Sequence, residues 1–432
     1  MCAYKPRIAL VGGGPASLTV GNLLHKHNIP FTIFELRPQP TEEDLAKPVG
    51  MLDLHEESGL AALEACGLSK EFHSHTGVCS ESQIIANKEG DVIYTDDGGV
   101  ATRPEISRNS LTKILLDRLP PDSVKWEHKL ISASRITSSS SGDMEIELDF
   151  DKHGKHTFDF VIGADGTWSR VRNLLTDTKP SYAGWQLITV TIRDVTVKYP
   201  EFAQYIGTGS FMCLGQRHGV LSQRGLQDSA RIYVCLTTAD EHFGDKLGLN
   251  NGTPAEAINK LLNDNALLGQ FGPKVKDLVR IACDEETKDN PDAKLGIMPL
   301  YMLPIDHSWE HKTGATVIGD AAHVMCPWAA EGVNLAMHDA LDLSQAIIKA
   351  SETVPEDAAS FQRRLDVLVE EFERAMAERA KEKAEETYNN GQVMFSSEDG
   401  ATAMAEWMTS MMAMVMAQQA EAGEANVKVM PE

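Results

Sequence analysis

Basic residues are in short supply. Forty Lys and Arg stand against 63 Asp and Glu, a formal net charge of −23. Binding a phosphate backbone needs clustered cations, so a nucleic-acid partner is not expected. An anionic membrane surface is disfavoured for the same reason. Long apolar runs are also missing. No segment reaches the roughly 18 uninterrupted apolar residues of a spanning helix, so no integral membrane segment is expected. The start, MCAYKPRIALVGGG, has no charged head followed by a long apolar run and a cleavage site. No signal peptide is therefore expected, and the expected location is cytoplasmic. Cysteine is sparse: seven residues, scattered, with no CxxC pair. That pattern suits reduced thiols and offers no metal-ligand spacing. No internal repeat is evident.

What is present is an ordinary globular composition, with 42% hydrophobic residues over 432 positions. That is enough chain for a sizeable core and for one large or two medium domains. RIALV (Arg7 to Val11) is a continuous apolar run of the kind buried in a parallel sheet. A glycine turn and the helical pattern ASLTVGNLLHKHN follow, then a second strand, FTIFE (Phe31 to Glu35). Glu56 to Leu68 reads as a helix with Gly67 as its C-cap. Ser107 to Leu119 reads as another, stopped by Pro120 and Pro121. Met144, Ile146, Leu148 and Phe150 alternate as one face of a strand. FDFVIGADG is a further buried strand ending in a glycine loop.

Between about 180 and 300 the style changes. β-branched and aromatic runs such as GWQLITVTIRDVTV and ARIYVCLTT alternate with turn signals, as in an antiparallel sheet. ATVIGD (Ala315 to Asp320) then returns to the buried-strand style, so the first domain is left and re-entered. The tail from about 356 is helical, with Phe361, Leu365, Leu368, Phe372 and Met376 at helical spacing and a methionine-rich end. The expected fold class is α/β. A Rossmann-like domain (1–178 and 290–355) carries an inserted antiparallel-sheet domain (179–289) and ends in a long C-terminal helical segment (356–432).

Three motifs carry chemistry. VGGGPAS places Gly12 and Gly14 between a strand and a helix, where glycine allows a tight turn and close approach to a pyrophosphate. Glu35 ends the second strand, where a carboxylate can accept from ribose hydroxyls. GADGTWSRVR is a second glycine turn, in which Asp165 has the simpler role of capping a helix near Ser169. In GDAAHVMCPWAAEGVN, Asp320 follows a strand of the same sheet, Pro327 fixes the backbone, and Gly332 admits a ring system just as a helix begins. That helix start can stabilise negative charge developing on the ring.

Taken in order, VGGGPAS with FELR, VIGADGTWSRVR, and VIGDAAHVMCPWAAEGVNLAMHDALDL resemble the class A FAD-dependent monooxygenases, the aromatic hydroxylases typified by p-hydroxybenzoate hydroxylase. GMLDLHEESGLAALEACGL and PEISRNSLTKILLDRLP are more similar to the tetracycline-inactivating flavin monooxygenases and their fungal relatives. The similarity runs from about residue 5 to 380 and is thin between about 180 and 300.

The resemblance implies FAD as cofactor, NADPH or NADH as reductant, and O2 and a small molecule as substrates. Hydroxyl transfer would proceed through an oxygen adduct at the flavin C4a carbon, onto an electron-rich aromatic, enol or alkene. Gly12 and Gly14, with Pro15 and Ala16, would meet the pyrophosphate. Glu35 would hold the adenosine ribose, with Arg37 beside it, and Arg108 would reach the ribityl–phosphate region. Asp165 and Gly166 belong to the motif associated with both FAD and NADPH. Asp320 would bind the ribityl or pyrophosphate part, while Pro327, Gly332, Val333 and Asn334 would line the isoalloxazine. Ala330 and Glu331 depart from the Gly and Gln common in relatives.

His323 is a candidate general base, set against a structural role. Trp185, Met212 and Trp328 are candidates for a substrate pocket, with plain core the alternative for Met212. Cys326 reads as a small buried residue. The chain would be a monomer or a homodimer. A halogenase on the same fold is disfavoured because its Trp-x-Trp-x-Ile-Pro motif is absent. A flavin dehydrogenase or oxidative cyclase, and a catalytically silent FAD-binding protein, stay open as alternatives.

Overall fold

The computed structural model describes residues 4–76, 80–98, 104–137, 144–352, 355 and 357–427, with side chains to 414. The chain divides into two units. The first comprises Met1–Val78, Thr102–Ala183 and Leu300–Tyr388. The second comprises Cys79–Ala101, Gly184–Pro299 and Asn389–Glu432.

The first unit is built on a five-stranded parallel sheet. Its order is Ala315–Val317, Phe160–Gly163, Ile8–Val11, Thr32–Phe34, Val124–Lys125. All four pairings are parallel. Every residue of Ile8–Val11, Phe160–Gly163 and Ala315–Val317 is buried. That is why these strands read as unbroken apolar runs instead of alternating ones. The helices Pro15–Lys26, Arg108–Asp117 and Gly332–Ser351 contribute to the same core, through Leu18, Leu24, Leu111, Leu115, Met337 and Leu343.

A three-stranded antiparallel sheet of Ser132–Thr137, Met144–Asp149 and Lys155–Phe158 adds Ile146, Leu148 and Phe150, the alternating face expected of it. The long helix Ala358–Phe395 contributes Phe361, Leu365, Val369, Phe372 and Met376, while Leu368 packs at the margin. The helix expected at 56–68 starts as a π-helix, Glu56–Leu60, before turning α at Ala61–Cys66. Gly67 closes it at φ +73°.

The second unit centres on a seven-stranded sheet. Its order is Ile297–Met302, Ser181–Ile192, Ser229–Thr237, His218–Gly225, Ser210–Gly215, Gln83–Asn87, Val92–Asp96. Ser210–Gly215 pairs parallel with Gln83–Asn87. The Ser181–Ile192, Ser229–Thr237, His218–Gly225 and Ser210–Gly215 strands pair antiparallel in succession. The hairpin Gln83–Asn87/Val92–Asp96 thus joins this sheet, although its sequence position falls within 1–178. The sheet region is also less purely β than its composition implies. The helices Pro254–Leu262 and Pro273–Asp289 bury Ile258, Leu261, Leu278 and Val279 in the same core as Ile188, Val190, Phe211 and Val234.

Candidate active site

Because the sheet of the first unit is parallel, its strands all deliver their following loops to one edge. Ligands of open α/β sheets bind at that carboxyl edge. Gly12–Gly14 follows Ile8–Val11, Ala164–Gly166 follows Phe160–Gly163, Gly319 and Asp320 follow Ala315–Val317, and Glu35 follows Thr32–Phe34.

The first loop is pinned from two sides. The Gly12 N–H donates to the Phe34 carbonyl at 2.8 Å, and the Ala164 N–H to the Val11 carbonyl at 2.8 Å. Gly12 sits at φ +105°, and a Cβ there would collide with the Ala164 carbonyl. Glycine is required on both counts. The Glu35 carboxylate accepts from the Gly13 N–H at 2.5 Å and the Arg37 N–H at 2.9 Å. It therefore holds the glycine loop in shape while keeping lone pairs for a further donor.

The helix Pro15–Lys26 begins with no side-chain cap and no acid in its first turn. Its orphan N–H groups and the positive end of its dipole are left for an anion. Ser17, where a third glycine is usual, is fully buried.

Asp165 is committed locally. Its carboxylate accepts from Ser169 Oγ at 2.5 Å and the Arg170 N–H at 2.7 Å. Burial pushes its pKa up against those donors. No α-helix starts near Ser169; the chain makes a short 3-10 turn at Arg172–Leu174. Arg172 was given no role by the sequence, yet its buried guanidinium donates to the carbonyls of Ala321 (2.9 Å) and Thr167 (2.8 Å). It ties the Asp165 loop to the Asp320 loop.

Asp320 is exposed and makes no hydrogen bond among the described residues. His323, three residues on, is buried against Asp339, with Nε2 2.6 Å from Oδ2. Burial alone pulls the imidazole pKa down; the Asp339 charge and hydrogen bond outweigh it and leave the pKa raised. Asp339 also accepts from the Gly319 N–H at 3.0 Å and from Arg379 at 3.4 Å. His323 thus sits in an ion-paired network between helices. Cys326 is buried, which pushes its thiol up to about 12.

The loop beyond it makes a 3-10 turn at Pro327–Ala329, then Ala330 adopts φ +56°. Glycine adopts this left-handed conformation more readily than alanine does. Glu331 is buried (8% exposed). Its Oε1 lies 2.7 Å from Lys383 Nζ and its Oε2 3.5 Å from His55 Nδ1. Asn334 crosses to the same segment. It accepts from the His55 N–H at 3.0 Å and donates to the Asp53 carbonyl at 2.9 Å. Gly332 and Val333 are partly exposed at the start of their helix.

Arg37 and Arg108 are exposed. Trp328 lies in the first unit, while Trp185 and Met212 are buried in the second. The structure thus gathers the proposed cofactor residues in one unit and divides the substrate candidates between two.

A bound FAD fits these residues. The backbone is open where a ligand would lie against it: an added Cβ at Gly14, Gly166 or Gly332 would meet nothing within 4 Å. Around these open positions stand an uncapped helix start, a shaped Glu35 and the exposed Asp320 carboxylate.

Residues 5–266 and 311–357 match the model of the FAD-binding domain family. The monooxygenase asqM of Emericella nidulans is 31% identical over 427 residues, covering 90% of this chain and 96% of asqM. The monooxygenase penA of Penicillium thymicola is 32% identical over 416 residues, covering 89% and 94%. The chain belongs to the FAD-binding monooxygenases of the aromatic hydroxylase type. It is an FAD-dependent enzyme and an oxidoreductase. The fold is shared with Klebsiella pneumoniae HpxO, solved with FAD and uric acid, at a TM-score of 0.67 and 14% identity, covering 94% of this chain and 92% of HpxO. Among the described residues, no helix is long and apolar enough to cross a membrane.

Proposed function

We propose that this monooxygenase consumes NADPH, or NADH in its place, and inserts one atom of O2 into an electron-rich aromatic, enol or alkene carbon of a small molecule. A polycyclic or secondary metabolite is the substrate class. The second oxygen atom leaves as water, so each turnover consumes one NAD(P)H, one proton and one O2. When bound, FAD supplies hydride acceptance and oxygen activation.

The residues of this chain bind and orient. Gly12 and Gly14, with Pro15 and Ala16, offer the uncapped helix start to the pyrophosphate. Glu35 accepts from the ribose, with Arg37 beside it. Asp320 accepts from the ribityl hydroxyls. Arg108 adds positive charge toward the phosphates. Asp165 is better read as the residue that shapes its loop, leaving Gly166 as the open backbone. The N–H groups of Gly332 and Val333 face the isoalloxazine and stabilise the negative charge of its reduced form. Asn334 anchors that helix start to the segment at Asp53 and His55.

The observation that carries this reading is the convergence of Gly12–Gly14, Glu35, Gly166 and Asp320 on the carboxyl edge of one parallel sheet. The test is anaerobic reduction of the FAD-loaded protein by NADPH, followed by visible absorbance across phenolic and polyketide-like compounds. The flavin should bleach, and faster with the compounds that resemble the substrate. A protein that holds FAD but is never reduced by NADPH or NADH under any condition would refute the reading.

A further inference from the structure

Three side chains of the long helix Ala358–Phe395 meet the segment around the ring end of the site. Arg379 Nη1 lies 2.9 Å from Asp342 Oδ2. Lys383 Nζ lies 2.7 Å from Glu331 Oε1. Thr387 Oγ1 donates to the Cys326 carbonyl at 2.6 Å. The spacing of four puts all three on one stripe of the helix. The first two are ion pairs, and the middle one differs from the first in engaging a buried carboxylate: the Glu331 side chain is 8% exposed against 32% for Asp342.

Glu331 is the residue that opens the helix Gly332–Ser351. A carboxylate there opposes the positive end of that helix for any electron-rich group placed against it. Glu331 is 8% exposed, so solvent does little to screen it. Its cation is Lys383, with His55 on the other side at 3.5 Å. Burial pulls the Lys383 pKa down, and the bonds to Glu331 and Glu386 more than restore it. The lysine is therefore charged at neutral pH, and the pair is close to neutral as a unit.

From this geometry we infer that Glu331 and Lys383 form a charge-balanced pair that sets the reduction potential of the flavin, with Lys383 a positioning residue supplied by the C-terminal helix. The inference rests on the reading that Gly332 and Val333 face the isoalloxazine. Two-electron reduction places negative charge on that ring. Removing the Glu331 charge makes reduction easier, and removing the Lys383 charge makes it harder. Removing both returns the local charge to its starting value.

The test is the two-electron midpoint potential of bound FAD at neutral pH. The samples are wild type, Glu331→Gln, Lys383→Met, the double variant and Lys383→Arg. The potential should rise in Glu331→Gln and fall in Lys383→Met. It should lie near wild type in the double variant and in Lys383→Arg. A purely structural contact would move FAD affinity or melting temperature without this opposed pair of shifts. Singles that move together, or that leave the potential unchanged with FAD still bound, overturn the proposal. Should Glu331→Gln lose FAD, the contrast between Lys383→Met and Lys383→Arg reads the same pair. Should every variant lose FAD, the pair is scaffold and the proposal fails. A wild type that held no FAD would refute instead the assignment of the site itself.

Discussion

Two aspartates at neighbouring strand ends, Asp165 and Asp320, look alike as letters and differ as physical groups. Asp165 is half-buried and its carboxylate accepts from Ser169 Oγ and the Arg170 N–H. Asp320 is exposed and unbonded among the described residues. Asp165→Ala should therefore destabilise the FAD-free protein by about 1–3 kcal/mol, because buried donors lose their acceptor. Asp320→Ala should leave the melting temperature of the FAD-free protein unchanged and weaken FAD binding about tenfold or more, the loss of one charge-assisted hydrogen bond. Thermal denaturation and flavin-fluorescence titration separate the two. The residue types at this edge were legible in the sequence, since a strand, two glycines and a distant carboxylate dictate where they must go. Arg172 and Lys383 were not. Each acts through a carbonyl or carboxylate distant in sequence, and no local spacing marks such a partner. Glu331 was legible only as a departure; its burial between Lys383 and His55 needed the fold.

At the scale of elements, the long helix is the least anticipated working part. Its apolar spacing announced burial, but which surface it covers is a tertiary fact. Phe361 is fully buried in the core of the first unit. Phe361→Ala should cost about 3–5 kcal/mol in chemical denaturation. The helix is also held to the sheet edge by a polar clasp. His311 Nδ1 lies 2.9 Å from Glu373 Oε2, and the other Glu373 oxygen accepts from Thr316 Oγ1 at 2.7 Å. The carboxylates of Asp366 and Glu373, led by their hydrogen bonds, outweigh burial and raise the His311 pKa from 6.5 to about 9. A raised folded-state pKa means the contribution is fully present below pH 6.5 and is lost as pH rises through about 9. The wild type should lose stability between pH 7 and 9.5, and His311→Gln should lose measurably less over that range in thermal melts. Equal slopes would show that the clasp does not titrate there. The second unit shows where composition misleads: β-branched runs foretold its sheet, but Pro254–Leu262 and Pro273–Asp289 are helices. Their apolar residues recur at helical spacing, a signal masked by the strand-rich sequence around them.

For the whole molecule, the central claim is oxygen transfer driven by a nicotinamide through FAD held at one sheet edge. The family resemblance carried by three loop motifs was enough to read the class from sequence. Substrate choice was not, because Trp185, Met212 and Trp328 carry no spacing that distinguishes pocket from core. The most direct measurement is turnover under labelled oxygen, with a compound that accelerates flavin bleaching. NADPH consumption, peroxide release and product mass are followed together. The account predicts one labelled oxygen atom in the product for each NADPH coupled to its formation. An oxidised product carrying no label, with the oxygen recovered as peroxide, would contradict it and mark the enzyme as a dehydrogenase or oxidative cyclase on the same fold.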